Sequence, residues 1–149
     1  MKNRSKTALI LKMAGKCARQ MPDFLSSQGP GQGNKITNAF MGKLHSRVKR
    51  DHQIKTEKGI FEKSKSKVDF YIPREGTIVE VALSLRNPLS GFYKDLFKAL
   101  IMKNSYKVEK LVFLSKHGGE RKILCNRLAM VARDWVRRNH KIAIEVKDI

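Results

Sequence analysis

Acidic residues are scarce in this chain: 13 Asp and Glu stand against 32 Lys and Arg, a formal charge of +19 over 149 residues. Cysteine is scarcer still. Cys17 and Cys125 are too few and too far apart in sequence for a disulfide framework or a cysteine-built metal site, and they read as reduced, structural thiols of a cytosolic protein. Aromatic residues make up only 7% of the chain and form no stacking motif, which argues against sequence-tolerant binding of single strands on an aromatic platform. No run of about 18 apolar residues occurs, so no segment is fit to cross a membrane as a helix. Apolar residues are not scarce, however. At 41% they match ordinary globular chains, which argues against a wholly disordered protein, and the length fits one domain around one core.

What the sequence has in excess is positive charge. Such an imbalance works against a compact state through self-repulsion unless a polyanion or counterions screen it. Nucleic acid is the expected partner, because phosphate neutralisation with counterion release supplies most of the non-specific affinity. A solvated basic surface and attraction to anionic lipid are the alternatives; the second usually requires an amphipathic anchor as well. The segment 1–20 contains six basic residues and no acid, a composition shared with organellar presequences, but its low serine content favours a basic arm that touches phosphates. The expected phosphate contacts are Lys2, Arg4, Lys6, Lys12, Lys16 and Arg19 in that arm, with Lys43, Arg47, Lys49 and Arg50 beyond it.

Periodicity divides the rest. Ile10, Met13, Ala14 and Cys17 recur at helical spacing, so a short amphipathic helix is expected there, ordering on its partner. The stretch Ser26–Asn34 is read as a loop and hinge from its glycines and proline, which places residues 1–34 outside a domain of residues 35–149. From Lys35 to about Arg50, Ile36, Phe40, Leu44 and Val48 make a core-facing helical stripe. Strands are expected at Gln53–Phe61, Lys67–Ile72 and Thr77–Leu85, antiparallel neighbours with a hairpin turn at Pro73–Gly76. A helix over Gly91–Lys103 follows, then a strand at Leu111–Ser115. A helix over Glu120–Asn139 has Leu124, Leu128, Val131 and Trp135 as its core stripe, and Ile142–Val146 is the last strand. This order gives an α/β sandwich with a mixed central sheet flanked by helices.

Two acids stand out. Side chains alternate across the strand from Thr77, so Ile78, Glu80 and Ala82 share one face while Val79 and Val81 share the other, and Glu80 sits in an otherwise apolar strand. A buried carboxylate requires a partner. Asp69, between Val68 and Phe70 on the preceding strand, can reach the same face through the hairpin. Two converging carboxylates in a basic protein suit a site for Mg²⁺ or Mn²⁺ acting on phosphodiesters, since hard oxygen ligands hold such ions. Structural ion pairs with Lys67 or Arg74 are the alternative.

The segments Val68-Asp69-Phe70-Tyr71-Ile72-Pro73 and Ile78-Val79-Glu80-Val81-Ala82-Leu83, within this order of elements, resemble the PD-(D/E)XK nuclease superfamily with its restriction-endonuclease-like fold. The resemblance spans roughly Lys35 to Val146. It implies a metal-dependent endonuclease, with Asp69 and Glu80 as metal ligands. It also implies a lysine two residues after the glutamate, and here the chain departs from the pattern, because Ala82 stands in that place. Members in which the lysine has migrated suggest the following helix as its source. The strand climbs roughly 17 Å past Glu80, and a returning helix recovers most of that only near its middle or later, which favours Lys98 over Lys94. No acid is available on the first helix, and Glu57 is the weak substitute. A chain this small needs two active sites to cut two strands, so a homodimer acting on DNA is expected. The alternatives are a non-catalytic nucleic-acid-binding protein that keeps the fold, and a basic ribonucleoprotein component of unrelated α/β fold.

Overall fold

A computed structural model describes residues 4–26, 30–82 and 88–149. In chain order the elements are α1 (Lys6–Arg19), α2 (Pro22–Ser26), α3 (Pro30–Val48), β1 (Lys55–Gly59), β2 (Lys67–Ile72), β3 (Thr77–Val81), α4 (Pro88–Met102), β4 (Lys110–Ser115), α5 (Gly119–Leu124), α6 (Arg127–His140) and β5 (Ala143–Asp148). The five strands lie in sequence order; β1, β2 and β3 are antiparallel, and β4 and β5 continue parallel to β3. The expected meander and the two helical crossovers are therefore both present, in an α/β fold with a mixed open sheet. Β-branched and aromatic residues in β2, β3 and β4 fill both faces of the central strands.

Two cores result, one on each face. On the first, Ile10, Ala14 and Cys17 of α1, Phe24 of α2 and Phe40, Leu44 and Val48 of α3 pack on Phe70, Ile72, Val79, Val112 and Leu114. On the second, Phe92, Leu96, Ala99 and Met102 of α4, Ile123 of α5 and Ala129 and Val136 of α6 pack on Tyr71, Ile78, Leu111, Phe113 and Ile144. The strand parity expected for β3 is met, with Ile78 and Val79 on opposite cores.

Several expectations are corrected. The N-terminal segment is not an arm waiting for a partner: α1 contributes Ile10, Ala14, Cys17 and Ala18, all buried, to the first core. Its start is pinned to the β2–β3 turn by Glu75, whose carboxylate accepts from Ser5 Oγ at 3.1 Å, from Thr7 N at 3.2 Å, from Thr7 Oγ1 at 2.6 Å and from the Lys6 amide. The glycine-rich loop is shorter than expected, because α3 already begins at Pro30; proline is tolerated in a first helical turn, where its missing N–H has no partner to lose. The rest of that loop, residues 27–29, lies outside the described residues, as do residues 83–85 of the third expected strand, whose observed part ends at Val81.

The expected helix Glu120–Asn139 is two helices. Asn126 separates them and caps the second, its Oδ1 accepting from Ala129 N at 2.9 Å. The stripe assigned to the core faces solvent instead: Leu128 is 58%, Val131 56% and Trp135 49% exposed, and Leu124 of α5 is similarly open. What α6 turns to the sheet is the smaller pair Ala129 and Val136. Periodicity finds a stripe, but does not say which of two stripes faces inward.

Candidate functional site

Asp69 and Glu80 come together because the hairpin register demands it. The ladder pairs Ile72 with Thr77, Tyr71 with Ile78 and Phe70 with Val79, and one further step sets Asp69 opposite Glu80. At that step side chains take over from the backbone. The Asp69 amide donates to Glu80 Oε2 at 3.2 Å, and the Val81 amide donates to Asp69 Oδ2 at 2.8 Å. Each acid therefore supports the other's strand, and both project on the face shared with Ile78 and α4.

α4 completes the cluster. Lys98 Nζ donates to Glu80 Oε1 at 3.0 Å and makes an ion pair with Asp95 Oδ1 at 2.9 Å. The lysine expected from the distance argument is the one brought to the glutamate, while Lys94, one turn earlier, is exposed. Asp95 was not foreseen. Its signal was local: a residue three positions before Lys98 shares its helical face. The third acid beside the pair thus comes from α4, whereas Glu57 of β1 is exposed and its backbone has a left-handed φ of 49°.

Burial dominates the electrostatics here. Glu80 is only 2% exposed, and desolvation, reinforced by the charges of Asp69 and Asp95, pushes its carboxyl up to about 9 against the pull of Lys98. Desolvation raises the Asp95 carboxyl too, against the opposing effect of Lys98. Burial alone would lower Lys98, but Glu80 and Asp95 outweigh it and hold the ammonium above its usual range. The lysine is thus a fixed positive charge, and near neutral pH the carboxyls retain a proton among them. Glu80 and Asp95 pair with the one ammonium and Asp69 stands beside Glu80, so acids outnumber the fixed cation, an imbalance that a hard cation would offset. Among the described residues no three His, Cys, Asp or Glu side chains come together as a ready metal-holding group. Two carboxylates are nonetheless the kind of donor set that suits Mg²⁺, which keeps several of its waters.

The basic residues expected to meet phosphate lie elsewhere. Lys12, Lys16 and Arg19 of α1, Lys43 and Arg47 of α3, and Lys49 and Arg50 after it are exposed on the helical layer across the sheet from Glu80. Arg4 is exposed before α1, whereas Lys6 is held by Asp51 at 2.6 Å; Lys2 lies outside the described residues. Nearer the acids is a group that was overlooked. Lys63 and Lys65 are exposed on the β1–β2 connection and Lys67 at the start of β2, on the way into Asp69. Their signal was the alternation Lys63-Ser64-Lys65-Ser66-Lys67, of which only Lys67 drew notice, as the start of a strand and an alternative ion-pair partner of the acids.

Comparison with protein-family models, curated proteins and solved structures finds no match. The functional reading rests on the geometry of this site.

Proposed function

We propose that the chain is a metal-dependent endonuclease of the restriction-endonuclease-like type, hydrolysing phosphodiester bonds in DNA. The observation that carries this reading is the meeting of Asp69, Glu80 and Lys98 at one point of a strongly basic protein, with Lys98 Nζ 3.0 Å from Glu80 Oε1. The run of a helix, a three-stranded antiparallel meander, a helix and a parallel strand supports it as well.

Asp69 and Glu80 would hold Mg²⁺ or Mn²⁺ through hard carboxylate oxygens. When bound, the ion supplies an activated water and stabilises charge on the scissile phosphate. Lys98 presents a preorganised positive charge to the attacking water or to a phosphate oxygen, and it needs little reorganisation because two carboxylates already fix it. Asp95 is a positioning residue for that ammonium. Lys63, Lys65 and Lys67 offer phosphate contacts on the flank of the site, and the α1–α3 layer offers a second basic surface.

A second reading has its own support. The hydrogen bonds from the amides of Asp69 and Val81 give both acids a purely structural use, which favours a nucleic-acid-binding protein that keeps the fold without the chemistry.

Cleavage of duplex, branched and single-stranded DNA and of RNA, in Mg²⁺, Mn²⁺ or EDTA, decides between them. Metal-dependent cleavage is expected, abolished by Asp69→Asn and by Glu80→Gln with DNA affinity nearly unchanged. Lys98→Met should slow it by about 10²–10³-fold, and Ala82→Lys in that background should recover activity by returning an ammonium to Glu80's face. Salt-sensitive binding with no cleavage under any metal would leave the second reading in its place.

A further inference from the structure

The outward stripe of α6 has a shape and a charge pattern that fit a copy of itself. Leu128, Val131 and Trp135 follow one another at three- and four-residue steps on one side of the helix, each about half exposed or more. A row of large apolar side chains is costly to leave in water and marks a contact surface. Among the described residues the stripe is left open, and the inward side of α6 is taken by Ala129 and Val136.

The flank of the stripe identifies what does. Arg127 and Asp134 lie seven residues apart, two helical turns, on the same edge. Among the described residues Asp134 makes an exposed 3.8 Å ion pair with Arg137, and its backbone carbonyl accepts from Arg138 Nε at 3.4 Å. Let two α6 helices cross antiparallel about a twofold axis at Val131. Val131 then meets Val131 of the second copy, Leu128 meets its Trp135, and Arg127 meets its Asp134, each contact occurring twice. That is the self-complementarity an isologous interface requires. An unrelated partner would have no reason to match residue pairs related by this symmetry.

We propose that the chain forms a homodimer through α6, with Val131 on the axis and reciprocal Arg127–Asp134 pairs at the rim. The proposal does not depend on the nuclease reading. Because each copy carries a formal charge of +19, long-range repulsion opposes association and is screened by salt, whereas apolar contact is not. Dimerisation should therefore strengthen as salt rises, the reverse of binding to DNA.

Sedimentation of the full chain across a concentration series, at about 0.1 M and about 0.5 M salt, tests it. The expected result is a dimer with a dissociation constant on the order of micromolar, tighter at the higher salt. Val131→Glu sets two carboxylates against each other on the axis and should weaken the dimer at least about tenfold. Since Val131 is 56% exposed, the variant should keep the wild-type circular dichroism and melting temperature at low concentration. Arg127→Asp and Asp134→Arg should each weaken it, and the double exchange should restore it. A wild type that stays monomeric at about 0.1 mM, a dimer indifferent to Val131→Glu, or single exchanges that the double does not repair would overturn the proposal and leave the stripe to a different occupant. DNA cleavage and DNA affinity, measured on the same variants, report on the nuclease reading separately.

Discussion

The two faces of the sheet are filled by different kinds of side chain. Between α1, α2, α3 and the sheet the interior is almost wholly apolar, with Phe24 and Phe40 stacked at 4.1 Å and His45 set edge-on to Phe70 at 5.2 Å. Its carboxylates, Glu75 and Asp51, are kept at the border, where they fasten α1. On the other face Glu80, Asp95 and Lys98 intrude among residues just as apolar, at the point where the β2–β3 ladder gives way to side-chain bonds. The first face buries what water rejects. The second also buries what water would keep, and a site that holds ionisable groups against their solvation is a candidate for chemistry, because structure alone would do better without them.

The sharpest way to break this comparison is to remove α1. Deleting residues 1–20 takes away four buried side chains and uncovers Phe24, Phe40 and Leu44. Burial of each large apolar side chain contributes about 1.5–3 kcal/mol, against a net stability of about 5–15 kcal/mol for a whole domain. The truncated chain should fail to fold, seen as loss of cooperative thermal unfolding by circular dichroism. A truncation that melts like wild type would return α1 to the role of a dispensable basic arm.

Single substitutions should then move the two faces in opposite directions. Phe40→Ala should lower stability by about 3–5 kcal/mol. Glu80→Gln, measured in EDTA, should not lower it. The folded protein holds the Glu80 proton up to about 9, whereas the unfolded chain releases it near the usual carboxylate value, so wild-type stability from this group is full at acid pH and is lost as pH rises toward 9. The glutamine keeps the shape without the ionisation, so its melting temperature should exceed wild type's most clearly near pH 8. A large fall instead would mean that the Lys98 ion pair is a net support of the fold.

How much of this was legible beforehand follows from what each signal measures. Composition locates β2 to the residue, Lys67–Ile72, because its β-branched and aromatic residues are bounded by polar turns. The meeting of Asp69 with Glu80 follows from counting across a short hairpin, and Lys98 from comparing the rise of a strand with that of a helix. Asp95 escaped because helical acids are ordinarily solvated, and nothing in sequence shows that its flank of α4 turns toward Glu80. α1 was legible as a helix through Ile10, Met13, Ala14 and Cys17, but not as part of the core, because Ala14, Cys17 and Ala18 are small and stand beside six conspicuous charges. α6 misled in the opposite sense. Its larger apolar residues form the outer stripe and its smaller ones the inner, so size pointed away from the sheet.

A smaller effect is expected where the first face is fastened. Burial pushes the Glu75 carboxyl up, but hydrogen bonds from Thr7, Lys6 and Ser5 outweigh it and hold the group below its usual range. A lowered acid stabilises the fold above its unfolded value, near 4.5, and that contribution is lost as pH falls through the lower folded value. Glu75→Gln should cost about 1–2 kcal/mol at neutral pH, the scale of a lost helix cap. It should also make the acid limb of the stability profile shallower. Chemical denaturation at a series of pH values reads both, and an unchanged acid limb would show that Glu75 does not anchor α1.

The smallest effect belongs to Trp135, and it bears on the assignment of the two α6 stripes most directly. A tryptophan in a core loses about 3–5 kcal/mol on truncation to alanine. At 49% exposure, with its ring beside His140 at a centroid distance of 4.9 Å, Trp135 has little packing to lose within its own chain. Trp135→Ala should therefore change monomer stability by no more than about 0.5 kcal/mol, the range of ordinary surface positions. The comparison belongs in the Val131→Glu background and at low protein concentration, so that association, which makes melting temperature depend on concentration, does not contribute. A loss of several kcal/mol there would place Trp135 against the sheet and return Leu128 and Val131 to the core with it, removing the surface on which the α6 dimer is built.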